Sequence, residues 1–230
     1  MSEKTITQEN SLKAIIFDMD GILIDSEPAW EVAKFEVMQR LCQIQITQAD
    51  ADATIGMRVE DIARHWCKQF ALSETKQTEI SDAINQAVID WIGRNGEPLP
   101  GVHGALQWLQ NSGLKVALAS SSNMQVINAV LDKLNLHDYF ISVNSANELE
   151  YGKPHPMVYL NTARKLGISP LDCMAIEDSV NGVIAGKAAQ MDVVAIPPKV
   201  LQGDLRYSIA NRQLDSLLEL PALLHNIMIK

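Results

Sequence analysis

The first pattern along the chain is an apolar run rich in isoleucine at residues 12–17, which stops at Asp18-Met19-Asp20-Gly21. A short continuous run closed by a turn-forming glycine predicts a buried strand. Similar runs at residues 115–119, 140–143, 173–176 and 193–196, each flanked by small or polar residues, predict four more. Helical patterns fall between the later runs: Val126, Val130, Leu131 and Leu134 share a face, as do Tyr159, Ala163 and Leu166, and then Val183, Ile184 and Ala188. Gly113 and Gly167 stand where left-handed helix ends are expected, and Ser179 where a helix cap is expected. Strands buried on both faces and joined by helical crossovers predict an α/β protein with a doubly wound parallel sheet.

Residues 28–97 break the alternation and carry only helical stripes. Trp30, Ala33, Val37 and Leu41 form one; Val59, Ile62, Ala63, Trp66 and Phe70 a second; Ile80, Ile84, Ala87 and Trp91 a third. Such stripes predict the interior of a helical bundle. Ser26-Glu27-Pro28 and Gly96-Glu97-Pro98-Leu99-Pro100-Gly101 bracket the segment with turn-forming residues suited to hinges. The expected organisation is a catalytic core of residues 12–27 and 98–230, with a helical cap domain of residues 28–97 inserted into it.

Composition narrows the class without changing this picture. A chain of 230 residues suits one sizeable domain carrying a smaller unit, and 47% hydrophobic with 20% charged residues excludes collagenous, coiled-coil and disordered chains. The formal charge of -9 opposes a basic footprint on nucleic acid or an anionic membrane, while leaving room for a local positive pocket. No apolar run approaches the roughly 18 residues of a membrane span, and residues 1–10 lack a signal-peptide core. A cytoplasmic protein is expected, without nucleic-acid or membrane partners, and a monomer is reasonable at this size. Cys42, Cys67 and Cys173 are few and scattered, which predicts buried thiols rather than disulfides or a zinc site.

In an open parallel sheet, ligands bind beyond the carboxyl ends of the strands. There the sequence places Asp18-Met19-Asp20-Gly21, Ser120-Ser121-Ser122-Asn123 and Glu177-Asp178-Ser179, with Lys153 in the connection after the third strand. Carboxylates gathered at one rim repel each other unless a cation joins them, and hard oxygen donors suit Mg²⁺. Lys153 and the hydroxyls would complete a pocket for a phosphate group. Asp18 and Asp20, two residues apart, suggest a nucleophile that forms an aspartyl phosphate and an acid/base that protonates the departing oxygen. Ser120 and the Ser121 backbone N–H would orient the phosphoryl oxygens.

Taken together with Asp25-Ser26-Glu27-Pro28, Gly152-Lys153-Pro154-His155-Pro156 and Ile176-Glu177-Asp178-Ser179-Val180-Asn181-Gly182, these motifs resemble the haloacid dehalogenase superfamily of Mg²⁺-dependent phosphatases, from residue 12 onward. The resemblance implies a Rossmann-like core, with Asp18 as nucleophile, Asp20 as acid/base, and Ser120 and Lys153 on phosphate. It also implies metal binding by Asp18, the Asp20 backbone carbonyl and Asp178, with Glu177 a ligand or a partner of one, and a mobile flap after Gly21. Within the superfamily the chain is similar to 2-deoxyglucose-6-phosphate and hexitol phosphatases, through its DSEPxW segment, Gly56-Met57-Arg58 and the run after Lys153. That similarity implies a small sugar or polyol phosphate as substrate and places Arg58 within reach of it. The alternative is a phosphosugar mutase of the β-phosphoglucomutase type. Such mutases carry a His in the segment leading into the cap and a Lys in the serine motif, where Trp30 and Asn123 stand here.

Overall fold

The computed structural model describes residues 12–54 and 57–229. Strand β1 (Ala14–Phe17) is buried along its whole length, so a few apolar residues suffice to mark it. It pairs in parallel with β2 (Lys115–Ser120) on one side and β4 (Cys173–Glu177) on the other. With β3 (Ser142–Ser145), β5 (Asp192–Ala195) and β6 (Arg212–Gln213) the sheet order is β3-β2-β1-β4-β5-β6, parallel throughout. This is the expected doubly wound α/β sheet, and the strand order switches direction between β1 and β4.

Two strands differ from the sequence expectation. The third lies at residues 142–145 rather than 140–143, because Phe140 packs edge-on against Phe17 at a centroid distance of 6.3 Å while Ile141 is 67% exposed. The sixth, Arg212–Gln213, has no apolar residue to announce it.

Among the described residues between β1 and β2 lie five α-helices: α1 (Glu27–Val37), α2 (Gln48–Asp52), α3 (Val59–Gln69), α4 (Lys76–Asn95) and α5 (Val102–Gln110). The stripe Val59, Ile62, Ala63 and Trp66 is buried as expected. In α4 the buried line is Ile80, Ile84, Val88 and Ile92, while Ala87 and Trp91 sit at its edge. A single π-turn over Met38–Cys42 shifts the register after α1, so Met38 is buried and Leu41 is only half-buried. Thr47 and Asp50 form a reciprocal capping box that starts α2.

Side chains alternate across β1, so Ile15 and Phe17 enter one apolar cluster while Ala14 and Ile16 enter another. The first cluster continues through α5, α6 (Met124–Leu134), α9 (Leu220–Met228) and the inserted helices. The second is roofed by α7 (Met157–Leu166) and α8 (Val180–Ala188). On α8 the inward face is Gly182, Val183, Ala185 and Gly186; Ile184 is exposed, contrary to the face read from the sequence. Among the described residues no helix is long and apolar enough to cross a membrane.

Candidate active site

Asp18 begins where β1 stops, and its backbone N–H still donates to the Ile176 carbonyl at 2.9 Å, so the strand frame fixes its position. Its carboxylate accepts from Lys153 Nζ at 2.6 Å. The same ammonium donates to Glu177 Oε1 at 2.6 Å and to the Ala119 carbonyl at 2.9 Å, which uses all three of its donors. Burial raises the Asp18 pKa to about 7; Lys153 pulls it back, and Glu177 and Asp20 push it up. Burial alone would lower Lys153, but Asp18 and Glu177 hold it above the ordinary lysine value.

Asp20 is held by a different set of partners. Its Oδ1 accepts from the Ser26 hydroxyl and from Trp30 Nε1 at 3.1 Å, and its Oδ2 from Ser122 Oγ at 2.8 Å. Ser120 Oγ is 3.5 Å from Asp20 Oδ2 and accepts the Ser122 N–H at 3.0 Å. Ser26 precedes α1 but makes no side-chain cap bond, because its hydroxyl is turned to Asp20. Asn123 does cap α6, accepting the Val126 N–H at 2.9 Å.

Asp18, Glu177 and Asp178 bring carboxylate oxygens within 4.8 Å of one another. Loss of hydration, then Asp18 and Glu177, hold Asp178 well above the usual carboxylate range, with Asp20 adding and Lys153 subtracting. Three carboxylates facing one ammonium are short of positive charge, and an all-oxygen donor set of this kind fits a hard divalent cation. Glu177 is fully buried and has both oxygens occupied, Oε1 by Lys153 and by Tyr159 OH at 2.6 Å, Oε2 by Ser179 Oγ at 3.2 Å.

Two glycines of the motifs exist to let these carboxylates in. A Cβ on Gly182 would lie 1.9 Å from Glu177 Cδ, and one on Gly21 would lie 2.1 Å from Asp178 Oδ2, at a φ of +73°. Gly21→Ala therefore combines left-handed backbone strain with displacement of Asp178. It is expected to lower stability by about 1–3 kcal/mol in urea unfolding, and an unchanged midpoint would contradict this geometry.

Residues 12–190 match the haloacid dehalogenase-like hydrolase family. The chain belongs to this family. The hydrolase is 40% identical over 209 residues to hexitol phosphatase B of Escherichia coli (strain K12), covering 91% of this chain and 94% of that protein. It is 32% identical over 201 residues to β-phosphoglucomutase of Bacillus subtilis (strain 168), covering 80% and 83%. The crystal structure of β-phosphoglucomutase from Clostridium difficile superimposes with a TM-score of 0.80 at 25% identity, over 95% of this chain and 97% of that one.

In the hydrolase a cavity of about 110 Å³ is lined by Asp18, Asp20, Ser121, Ser122, Lys153 and Asp178 from the loops that follow the strands, by Glu27, Trp30 and Lys34 of α1, and by Thr54 and Met57 between α2 and α3. Of the sequence-selected residues, Ser120, Glu177 and Arg58 do not line it; Ser120 and Glu177 are fully buried behind its wall, and Arg58 turns elsewhere. Its Nε pairs with Asp61 at 2.7 Å, and its Nη1 donates to the Leu149 carbonyl at 2.8 Å, while its stem packs over Gly152. With the bond from Asn147 Nδ2 to Glu60 Oε1 at 3.0 Å, it fastens the start of α3 to the connection between β3 and α7. Gly56, the other residue of that sequence pattern, lies outside the described residues. The contacts to the site's carboxylates that the sequence did not supply come from Ser26, Trp30, Ser122 and Tyr159. The first two belong to the DSEPxW segment, which carried a signal, but their hydrogen bonds to Asp20 could not be read from it.

Proposed function

We propose that this hydrolase cleaves phosphate monoesters of small sugars or polyols through an aspartyl-phosphate intermediate. The observation that carries the proposal is the pairing of two differently held aspartates on one cavity: Asp18 bound to the Lys153 ammonium, and Asp20 bound by neutral donors. Asp18 attacks phosphorus, and the bond to the ester oxygen breaks as Asp20 gives that oxygen a proton. Asp20 then takes a proton from water, the water oxygen attacks phosphorus, and inorganic phosphate leaves with Asp18 restored. Ser26, Trp30 and Ser122 keep the Asp20 carboxylate aimed through both steps, and the Ser121 N–H with Lys153 receives phosphoryl oxygens.

Asp18, Asp178 and the Asp20 backbone carbonyl are the groups we assign to Mg²⁺, with Glu177 holding Lys153 and Tyr159 rather than the metal. Bound there, the cation would offset the phosphoryl charge and keep Asp18 ionised. Residues 28–97 serve as the cap that selects the leaving group and excludes water, Arg58 acting as a fastening to the core.

The similarity to hexitol phosphatase B supports hydrolysis of a polyol or sugar phosphate, and the likeness to a β-phosphoglucomutase supports the alternative of returning the phosphoryl group to sugar. Trp30 bonded to Asp20, and Asn123 used as a helix cap, favour hydrolysis over that alternative. The deciding experiment follows phosphate release from hexitol, hexose and 2-deoxyhexose phosphates with and without Mg²⁺. Stoichiometric phosphate release that requires Mg²⁺ is expected. An isomerised sugar phosphate formed without phosphate release would overturn the proposal.

A further inference from the structure

Lys34 lies on α1 with only 5% of its surface exposed, on the wall of the same cavity as Asp18 and Asp20. Among the described residues its ammonium makes no hydrogen bond and no ion pair. Burial pulls its pKa below the ordinary lysine value, opposed by Glu27 and then by Asp52 and Glu31. A lysine ammonium carries three donors, and on the wall of a cavity they are available to whatever occupies it.

The place of Lys34 on the helix says which part of a substrate that is. Trp30 touches Asp20, the group assigned to protonate the departing oxygen, and Lys34 stands one helical turn beyond Trp30 on the same face. A leaving group whose first oxygen meets Asp20 therefore extends toward Lys34. Glu27, on the rim of the cavity, supplies an acceptor beside that donor. The surrounding Glu27, Glu31 and Asp52 cancel a single ammonium's field, which disfavours a second anionic group and suits neutral hydroxyls.

We infer that Lys34 is the specificity-determining residue for the leaving group, donating to hydroxyl oxygens of the sugar or polyol, with Glu27 accepting from them. This rests on the phosphatase reading above. The test compares kcat/KM of the wild type and Lys34→Met on sorbitol 6-phosphate, which offers hydroxyls along its chain, and on p-nitrophenyl phosphate, which offers none. The preference for sorbitol 6-phosphate is expected to fall about 10- to 100-fold, the size of one charge-assisted hydrogen bond. An unchanged preference, with equal or no loss on both esters, would overturn the inference.

Thermal melting of the ligand-free protein supplies a readout independent of turnover. Replacing an ammonium that bonds to none of the described residues by an uncharged side chain of similar length is expected to raise Tm by about 2–4 °C. A lowered Tm would show that Lys34 is satisfied within the protein and overturn the inference, even if no ester were hydrolysed. Inactivity of the wild type on every ester, with Tm raised in Lys34→Met, would instead sink the phosphatase reading alone and leave Lys34 as a cavity donor awaiting another acceptor.

Discussion

Asp18→Asn is expected to remove turnover by a factor on the order of 10⁴ to 10⁶ while leaving the protein folded. The amide keeps an oxygen that can accept from Lys153, so the contact at 2.6 Å has a substitute and the ammonium keeps Glu177 and Ala119. What the amide cannot do is attack phosphorus and then release it to water. Stability should move the other way from activity. Because Asp18 has its pKa raised from 3.8 to about 7 in the folded chain, the folded state holds a proton that the unfolded state gives up between those values. The metal-free protein therefore loses stability from this group as pH rises through that window, and is free of the loss below it. Asp18→Asn removes the loss, so its Tm relative to wild type should climb between pH 4 and pH 8 in EDTA. Retention of more than a hundredth of wild-type activity would exclude Asp18 as the nucleophile; a Tm difference that falls with pH would show that the carboxylate is stabilised by folding.

The sheet was legible because burial on both faces writes a continuous apolar run, and the glycine after it marks the turn. Where that logic failed, other physics was at work. Residues 142–145 pair with β2 although they are largely polar, since Asn144 Nδ2 donates to the Leu118 carbonyl at 3.3 Å and Ser145 Oγ to the Ser122 carbonyl at 2.6 Å. Those bonds support the serine loop of the site, so a strand chosen for apolar content was displaced toward residues chosen for polar contacts. On α8 the expected stripe caught only Val183 of the inward face, because the rest of that face is glycine and alanine, which let the helix approach β4 and leave room for Glu177.

The site divides in the same way. Asp18, Asp20, Lys153 and Asp178 could be found because each follows a strand end, and topology alone brings strand ends together. Trp30 and Tyr159 sit inside stripes that pattern assigns to packing, and their polar atoms are visible only in three dimensions: Trp30 Nε1 on Asp20, Tyr159 OH on Glu177. Lys34 is hidden for a related reason: a single charge between Glu31 and Glu36 carries no signal in the sequence that distinguishes a cavity wall from a solvated face. Arg58 shows the converse. Its position near the site was readable, but whether a guanidinium turns to substrate or to backbone carbonyls depends on the loop it meets, here residues 146–152.

Lys153→Met should damage both activity and the fold, and the damage to the fold should depend on pH. Among the described residues the ammonium is the sole side-chain cation bonded to Asp18 and Glu177, two carboxylates that are 6% and 0% exposed. Removing it strands their charge in a poorly hydrated site, a change that costs about 3–5 kcal/mol when both remain ionised. With its main opposing attraction gone, the Asp18 pKa should rise further from about 7, so protonation spares part of that cost in acid and none of it in base. The loss of stability measured by urea unfolding without metal should accordingly be larger at pH 8 than at pH 5. Adding Asp18→Asn to Lys153→Met should restore part of the stability at pH 8, because one of the stranded charges goes with it, and a double-mutant cycle reads that coupling directly. Turnover should stay lost in both proteins, since the phosphoryl group has no ammonium to receive it. Equal destabilisation at the two pH values, together with additive single and double variants, would mean that Lys153 contributes only its packing, and that the charge of this site is balanced in some other way.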